Sequence, residues 1–205
     1  MTHLPGRQHF SDAYGGEAPW EIGRPQAGLL AAAEFVKSPI LDSGCGTGDS
    51  ACYFAQRGHQ VTGFDFLEEP IRRARAKAAE RGLTIDFRVA DALGLSQSDD
   101  RFNTIFDSGL FHVFSDEDRR RYVAGLAHVL NPGGRLYLQC FSDAEPVGAG
   151  PRRITRDDLH AAFAGGWEIE SVQPVQFELN PKFTGATFTP GGPRSWFATI
   201  RRAKK

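Results

Sequence analysis

Residues 40–49 read Ile-Leu-Asp-Ser-Gly-Cys-Gly-Thr-Gly-Asp, an apolar run that breaks into three glycines at alternate positions. Gly44, Gly46 and Gly48 allow a tight turn and let main chain come close to a ligand. The dinucleotide fingerprint GxGxxG is not met, because its third glycine position is Asp49. A carboxylate there suits a helix N-terminus but repels a pyrophosphate. No GK[ST] follows, so a phosphate loop of the NTPase type is excluded as well. Two further carboxylates stand at the ends of apolar runs. Asp65 lies 17 residues after Gly48, where an acid can accept both hydroxyls of a ribose in charge-assisted hydrogen bonds. Asp91 closes Val89-Ala90-Asp91-Ala92, placed to accept from an adenine amino group. A glycine turn and two acceptors in this order fit a nucleoside-like ligand without a diphosphate.

The elements that must hold these residues follow from patterning. Strands are expected at 40–41, 60–66, 84–89, 102–106, 135–141, 167–179 and 196–201, and helices at 49–57, 68–81, 116–130 and 155–164. Ser115 and Thr155 are expected N-caps, and Asn131-Pro132-Gly133-Gly134 a stop after the third of these helices. Alternating strands and helices imply parallel strands with right-handed crossovers. The last two strands lack a helix between them, so one should run antiparallel. The expected fold is a single α/β domain, a doubly wound, Rossmann-like seven-stranded sheet. Residues 1–38 carry no strand pattern and one helix near 26–37; they are expected to form a cap over the ligand, with 39–205 as the domain proper.

Composition narrows the function classes. Lys+Arg 24 against Asp+Glu 25 leaves a net charge of −1, without the basic excess typical of nucleic-acid binders. No apolar run is long enough to span a membrane, and residues 1–10 lack the apolar stretch of a signal peptide. Cys45, Cys52 and Cys140 are odd in number and show no CxxC spacing, so neither a disulfide framework nor a zinc site is expected. These features suggest a cytoplasmic protein, a monomer or homodimer, that binds a small molecule and no metal.

Taken together, Asp42-x-Gly44-x-Gly46-x-Gly48, Asp65, Asp91-Ala92 and Asn131-Pro132-Gly133-Gly134 resemble the ordered motifs of class I S-adenosylmethionine-dependent methyltransferases, over roughly residues 20–205. The resemblance implies that Asp42 and the loop Gly44, Cys45, Gly46 and Gly48 hold the methionine moiety. It places the ribose at Asp65 with Phe66 beside it, and the adenine at Asp91 and Ala92. Pro19-Trp20-Glu21-Ile22-Gly23-Arg24-Pro25 looks like the PW[DE]xGRP stretch of a small-molecule subgroup, similar to the thiopurine, halide/thiol and tellurite methyltransferases and to actinobacterial enzymes acting on heterocyclic toxins. That resemblance implies Trp20 near the sulfonium and Arg24 on the methionine carboxylate, a pairing that a bidentate guanidinium suits.

The acceptor side is read from residues 106–114. The stretch Asp107-Ser108-Gly109-Leu110 replaces the [DN]PP[FYW] motif of enzymes that methylate nucleic-acid bases or glutamine, which disfavours those substrates. It resembles the DSGLFHV stretch of the small-molecule subgroup. His112 could take a proton from a hydroxyl, thiol or ring N–H, or simply form a wall of the site. Asp107 is a weaker base candidate and a further contact to the cofactor. Phe10, Tyr14, Trp20, Phe111, Phe114, Phe183, Phe188 and Trp196 fall outside periodic core positions and suit either a pocket for a flat ring or ordinary loop packing. Residues 143–153 and 180–193, rich in Gly and Pro, are expected lids. The leading expectation is methyl transfer to N, O or S of a small aromatic or heterocyclic molecule. The alternatives are detoxifying methylation of a thiol, halide or tellurite, a nicotinamide-dependent reductase, and a non-catalytic nucleoside-binding module.

Overall fold

The computed structural model describes residues 6–148, 150–186 and 188–204. Thirteen longer elements order the chain. They are α1 (Arg7–Tyr14), α2 (Ala27–Ala31), β1 (Ile40–Ser43), α3 (Asp49–Ala55), β2 (Val61–Asp65), α4 (Glu68–Glu80), β3 (Asp86–Val89), β4 (Phe102–Ser108), α5 (Asp116–Val129), β5 (Leu130–Phe141), α6 (Arg156–Ala162), β6 (Trp167–Gln176) and β7 (Arg194–Arg202). Short 3-10 turns lie at Ala33–Phe35, Ala92–Gln97 and Phe111–Val113. No helix among the described residues is long and apolar enough to cross a membrane.

The seven strands form one sheet in the order β3-β2-β1-β4-β5-β7-β6. The pairs from β3 to β5 are parallel, and β7 runs antiparallel to both its neighbours. The expected fold is therefore the observed one, including the odd strand. The order reverses between β1 and β4, and in an open sheet of this type the crevice beyond the strand ends at that reversal binds the ligand.

Both faces of the sheet are buried. Leu29, Phe54, Ile71, Phe87, Phe106 and Phe197 fill one core, beneath α2, α3 and α4. Ile105, Tyr122, Leu126, Leu136, Leu159 and Ile200 fill the other, beneath α5 and α6. The expected caps are present: the Ser115 hydroxyl accepts from the Asp118 N–H at 3.0 Å, and Thr155 with Asp158 forms a capping box.

Two local expectations are corrected. Residues 7–14 are helical although no helix was expected there; Arg7, Phe10 and Tyr14 share a face at i, i+3, i+7 spacing, a signal shortened by the glycines that follow. Asn131–Gly134 is no gap between helix and strand. It belongs to β5 as an irregularity, in which Phe102 pairs Leu130 and Thr104 already pairs Arg135. Gly133 has a φ of +80°, which the extra chain needs in order to turn within the ladder.

Candidate active site

The glycine turn leaves β1 and opens α3 at the strand-order reversal. Its conformation demands glycine. Gly48 has a φ of +77°, and a Cβ there would stand 2.7 Å from the Phe87 ring and 3.0 Å from Ala74. Gly46 has a φ of +53°, and its Cβ would meet the Tyr14 hydroxyl at 2.8 Å. The first glycine position is closed by Leu110 of the β4 loop at 3.2 Å. The loop is thus a stretch of side-chain-poor backbone held between neighbours, half-buried at Gly44 and Cys45 and buried from Gly46 to Gly48.

A cleft of about 510 Å³ opens above it, lined by Trp20, Glu21, Arg24, Gln26, Asp42, Gly44, Cys45, Gly46, Thr47, Asp49, Ser50 and Ser108. Of the residues expected to bind a cofactor, Trp20, Arg24, Asp42, Gly44, Cys45 and Gly46 come together here. Gly48, Asp65, Phe66, Asp91, Ala92 and Asp107 lie outside this lining, as does His112.

Asp42 is 4% exposed, and its Oδ2 accepts from the Ala51 N–H at 3.1 Å. Burial pushes its carboxyl up to about 7, opposed by that hydrogen bond and reinforced by Asp49, Asp107 and Asp65. A carboxyl so placed gains from a cationic ligand group. Asp65, at the tip of β2, accepts from the Leu67 N–H at 3.0 Å and the Gly46 N–H at 3.3 Å. It is held above the usual carboxylate range, chiefly by burial. Its oxygens thus brace the loop as well as standing at its edge. Phe66 joins Phe10, Tyr14, Trp20 and Leu67 in a separate apolar cluster over that tip. Asp91 is exposed and caps the 3-10 turn at Ala92 by accepting from the Leu93 N–H at 2.9 Å, while Ala92 itself is buried.

Asp107, the weaker base candidate, has hydrogen bonds on both carboxylate oxygens. It is 1% exposed; Oδ1 accepts from the Leu110 and Phe111 N–H groups at 2.9 and 3.2 Å, and Oδ2 from the Tyr122 hydroxyl at 3.0 Å. Tyr122 in turn meets the Ser43 hydroxyl at 2.8 Å. Burial raises the Asp107 carboxyl to about 6 despite these bonds. The group orders the 108–111 turn instead of facing the cleft.

His112 is likewise buried and bonded to main chain. The ring is 5% exposed, and Nδ1 accepts from the Phe141 N–H at 2.9 Å. Burial, with Arg153 nearby, drives the imidazole down to about 3, so it is neutral. With Nδ1 occupied as acceptor, the single proton must sit on Nε2. Nε2 is therefore a donor and has no lone pair for a substrate proton. The ring packs against Phe141 and Phe177 at 4.9 and 6.1 Å.

Loop aromatics divide accordingly. Phe111 is fully buried and stacks on Phe163, Phe114 packs on Tyr122, and the Trp196 Nε1–H donates to the Ile154 carbonyl at 2.9 Å; these belong to the core. Phe188 packs on Phe141 beside His112 and Phe177. The two expected lid segments are joined by Glu145, which accepts from Thr189 N–H and hydroxyl and from Arg194 N–H at 3.1, 2.7 and 2.8 Å.

Gln26, Ser108 and Glu178 escaped sequence reasoning. Gln26 lies one residue past the Arg24-Pro25 motif, and Glu178 ends an ordinary strand pattern; neither carries a local signal. Arg24 pairs with Glu178 through both guanidinium nitrogens, at 2.8 and 2.6 Å. Asp49 ties the arm to the loop, accepting from the Gly23 N–H at 3.0 Å and pairing with Lys77.

Residues 40–134 match a family model described as a methyltransferase domain. The 2-heptyl-1-hydroxyquinolin-4(1H)-one methyltransferase of Mycobacteroides abscessus is 35% identical over 205 aligned residues, covering 94% of this chain and 88% of the relative. A solved structure from work on conversion of a disulfide bond into a thioacetal group during echinomycin biosynthesis superposes with a TM-score of 0.81 at 33% identity, over 93% of this chain and 88% of the other. The 1,6-didemethyltoxoflavin-N1-methyltransferase of Burkholderia thailandensis, solved with S-adenosylhomocysteine bound, shares the fold with a TM-score of 0.68 at 23% identity, over 96% of this chain and 84% of the other. With the glycine cradle, the buried Asp42 and the parallel sheet that ends on an antiparallel strand, these likenesses establish that the chain belongs to the class I S-adenosylmethionine-dependent methyltransferases that act on small molecules.

Proposed function

We propose that this enzyme methylates a nitrogen, oxygen or sulfur atom of a flat aromatic or heterocyclic molecule. The observation that carries this reading is the relative named for a hydroxyquinolinone, which aligns over 94% of this chain. The cofactor supplies a methyl group on a cationic sulfur, transferred in line to the acceptor.

The cleft suits that cofactor. Gly44, Cys45 and Gly46 are assigned to the methionine moiety and Asp42 to its ammonium group, and Arg24 is the one cation in the lining among the described residues. Trp20 brings an aromatic face toward the sulfonium, which a ring quadrupole favours. Asp65 and Phe66 are assigned to the ribose edge and Asp91 with Ala92 to the adenine. Residues 6–38 act as the lid: the arm packs Phe10, Tyr14 and Trp20 over the β2 tip.

In-line displacement needs alignment and exclusion of water more than proton transfer. The buried, fully bonded Asp107 and the donor-only His112 agree with a mechanism that relies on an acceptor already ionised or intrinsically nucleophilic. A small hollow between Leu29, Phe106, Asp107, Tyr137, Gln139 and Phe197 adjoins the cleft through Gln26 and Ser108 and has room for little more than a water molecule, so the acceptor is assigned to the Phe141, Phe177 and Phe188 side instead. Aromatic walls on that side favour a ring over a halide or tellurite. The test is a labelled-methyl screen over phenols, thiols and N-heterocycles. Product from hydroxylated or N-heterocyclic rings is expected; product from thiols or halides alone would overturn the reading.

A further inference from the structure

Among the described residues, Arg24 is the only cation lining the cleft, whose other charged groups are Glu21, Asp42 and Asp49. A ligand carboxylate entering among three acids has one place to go. Yet the two terminal nitrogens of that guanidinium are both engaged by Glu178, 154 residues further along the chain. Glu178 does not arrive there by side-chain chance. Its N–H donates to Gln26 Oε1 at 2.8 Å, and its carbonyl accepts from Gln26 Nε2 at 3.0 Å. Gln26 is 6% exposed, so this two-point clamp is sheltered from water. Two residues on, the Asn180 N–H donates to the Pro19 carbonyl at 2.9 Å. The backbone of 178–180 is thereby fastened to the arm, and the Glu178 carboxylate is poised beside Arg24 whatever the ion pair does.

Resting on the cofactor assignment above, we infer that Glu178 is a tethered stand-in for the carboxylate of the bound amino-acid moiety: it pairs with Arg24 and is displaced from it when that carboxylate binds. The pair is half-exposed, with side chains 50% and 35% accessible. Such pairs are weak, so Glu178 acts as a placeholder and not as a lock. Its backbone clamp to Gln26 survives the exchange, and only the side chain swings away. The neighbouring Phe177 packs on Phe141 and His112, so the swing begins next to the acceptor wall. Glu178 is accordingly a positioning residue that opposes carboxylate-bearing ligands and no others.

The experiment is calorimetric titration of the full chain with S-adenosylhomocysteine and with its decarboxylated analogue, S-adenosyl-3-thiopropylamine, which keeps the nucleoside, thioether and ammonium. In Glu178→Gln, S-adenosylhomocysteine should bind about 2- to 5-fold more tightly, the span of an exposed ion pair, and the analogue should be unchanged. Glu178→Asp, which keeps the charge, should restore most of the wild-type value. Equal tightening of both ligands, or no change in either, would overturn the inference. Absence of S-adenosylhomocysteine binding by the wild type would instead overturn the cofactor assignment beneath it.

Discussion

The two halves of the sheet's carboxyl edge are built on opposite principles. From β3 to β4 the edge is polar, and each acid is tied to nearby main chain: Asp42 to Ala51, Asp65 to Gly46 and Leu67, Asp91 to Leu93, Asp107 to Leu110 and Phe111. From β5 to β6 it is aromatic, with Phe141, Phe177 and Phe188 packed around a neutral His112. The polar half presents fixed charges, and its acids mostly bond main chain within nine residues in sequence, Asp65 with Gly46 at 19 being the exception. The aromatic half presents apolar walls joined by long-range contacts, a surface that can accept different flat rings. On the proposed function, the polar half takes the cofactor and the aromatic half the acceptor.

Substitutions sharpen that contrast. The largest effect is expected in the polar half. Gly48→Val forces a side chain into a positive-φ position against Phe87 and Ala74 and should lower stability by about 2–4 kcal/mol in chemical denaturation. In the aromatic half, His112→Ala should cost about 2 kcal/mol of stability through lost packing and an unpaired Phe141 N–H. It should leave the pH profile of turnover unchanged in shape; loss of an inflection near neutral pH would make His112 a base after all and break the division between the halves.

Asp42→Asn keeps an acceptor for the Ala51 N–H but removes the charge. S-adenosylhomocysteine affinity should fall about tenfold, as for one charge-assisted contact, while melting temperature at pH 8 holds or rises because a buried ionised carboxyl is gone. The pH dependence carries the same sign. The Asp42 carboxyl lies at about 7 in the empty enzyme, and a cationic group on the ligand draws it down. Binding should therefore release a proton around neutral pH and weaken as pH falls from 8 to 6, by up to about tenfold per unit below 7. Titrations in buffers of different ionisation enthalpy would measure that release, and Asp42→Asn should abolish it. The smallest effect is expected at exposed Asp91: Asp91→Asn still accepts from Leu93 and should change affinity by less than about fivefold.

The same contrast explains what the sequence disclosed. The glycine spacing, the strand-tip acids and the helix caps are short-range devices, so their patterns survive in a linear reading; the seven strands, their antiparallel end and the Ser115 and Thr155 caps were all legible. The tautomer of His112 depends on the main chain of Phe141, 29 residues away, and the state of Arg24 on Glu178, 154 residues away. No local pattern encodes either. Phe111 and Trp196 look like pocket walls by position, yet the fold buries the one and bonds the other into its core. Asn131–Gly134 reads as a break because Pro and Gly usually end elements, whereas β5 absorbs it as an irregularity.

The most direct test of the functional claim is a competition. Labelled S-adenosylmethionine is offered to the enzyme with an equimolar mixture of a hydroxyquinolinone, an aliphatic thiol and iodide, and the labelled products are separated. Predominant label on the heterocycle is the expected result; label on the thiol or iodide, with the heterocycle untouched, would contradict it.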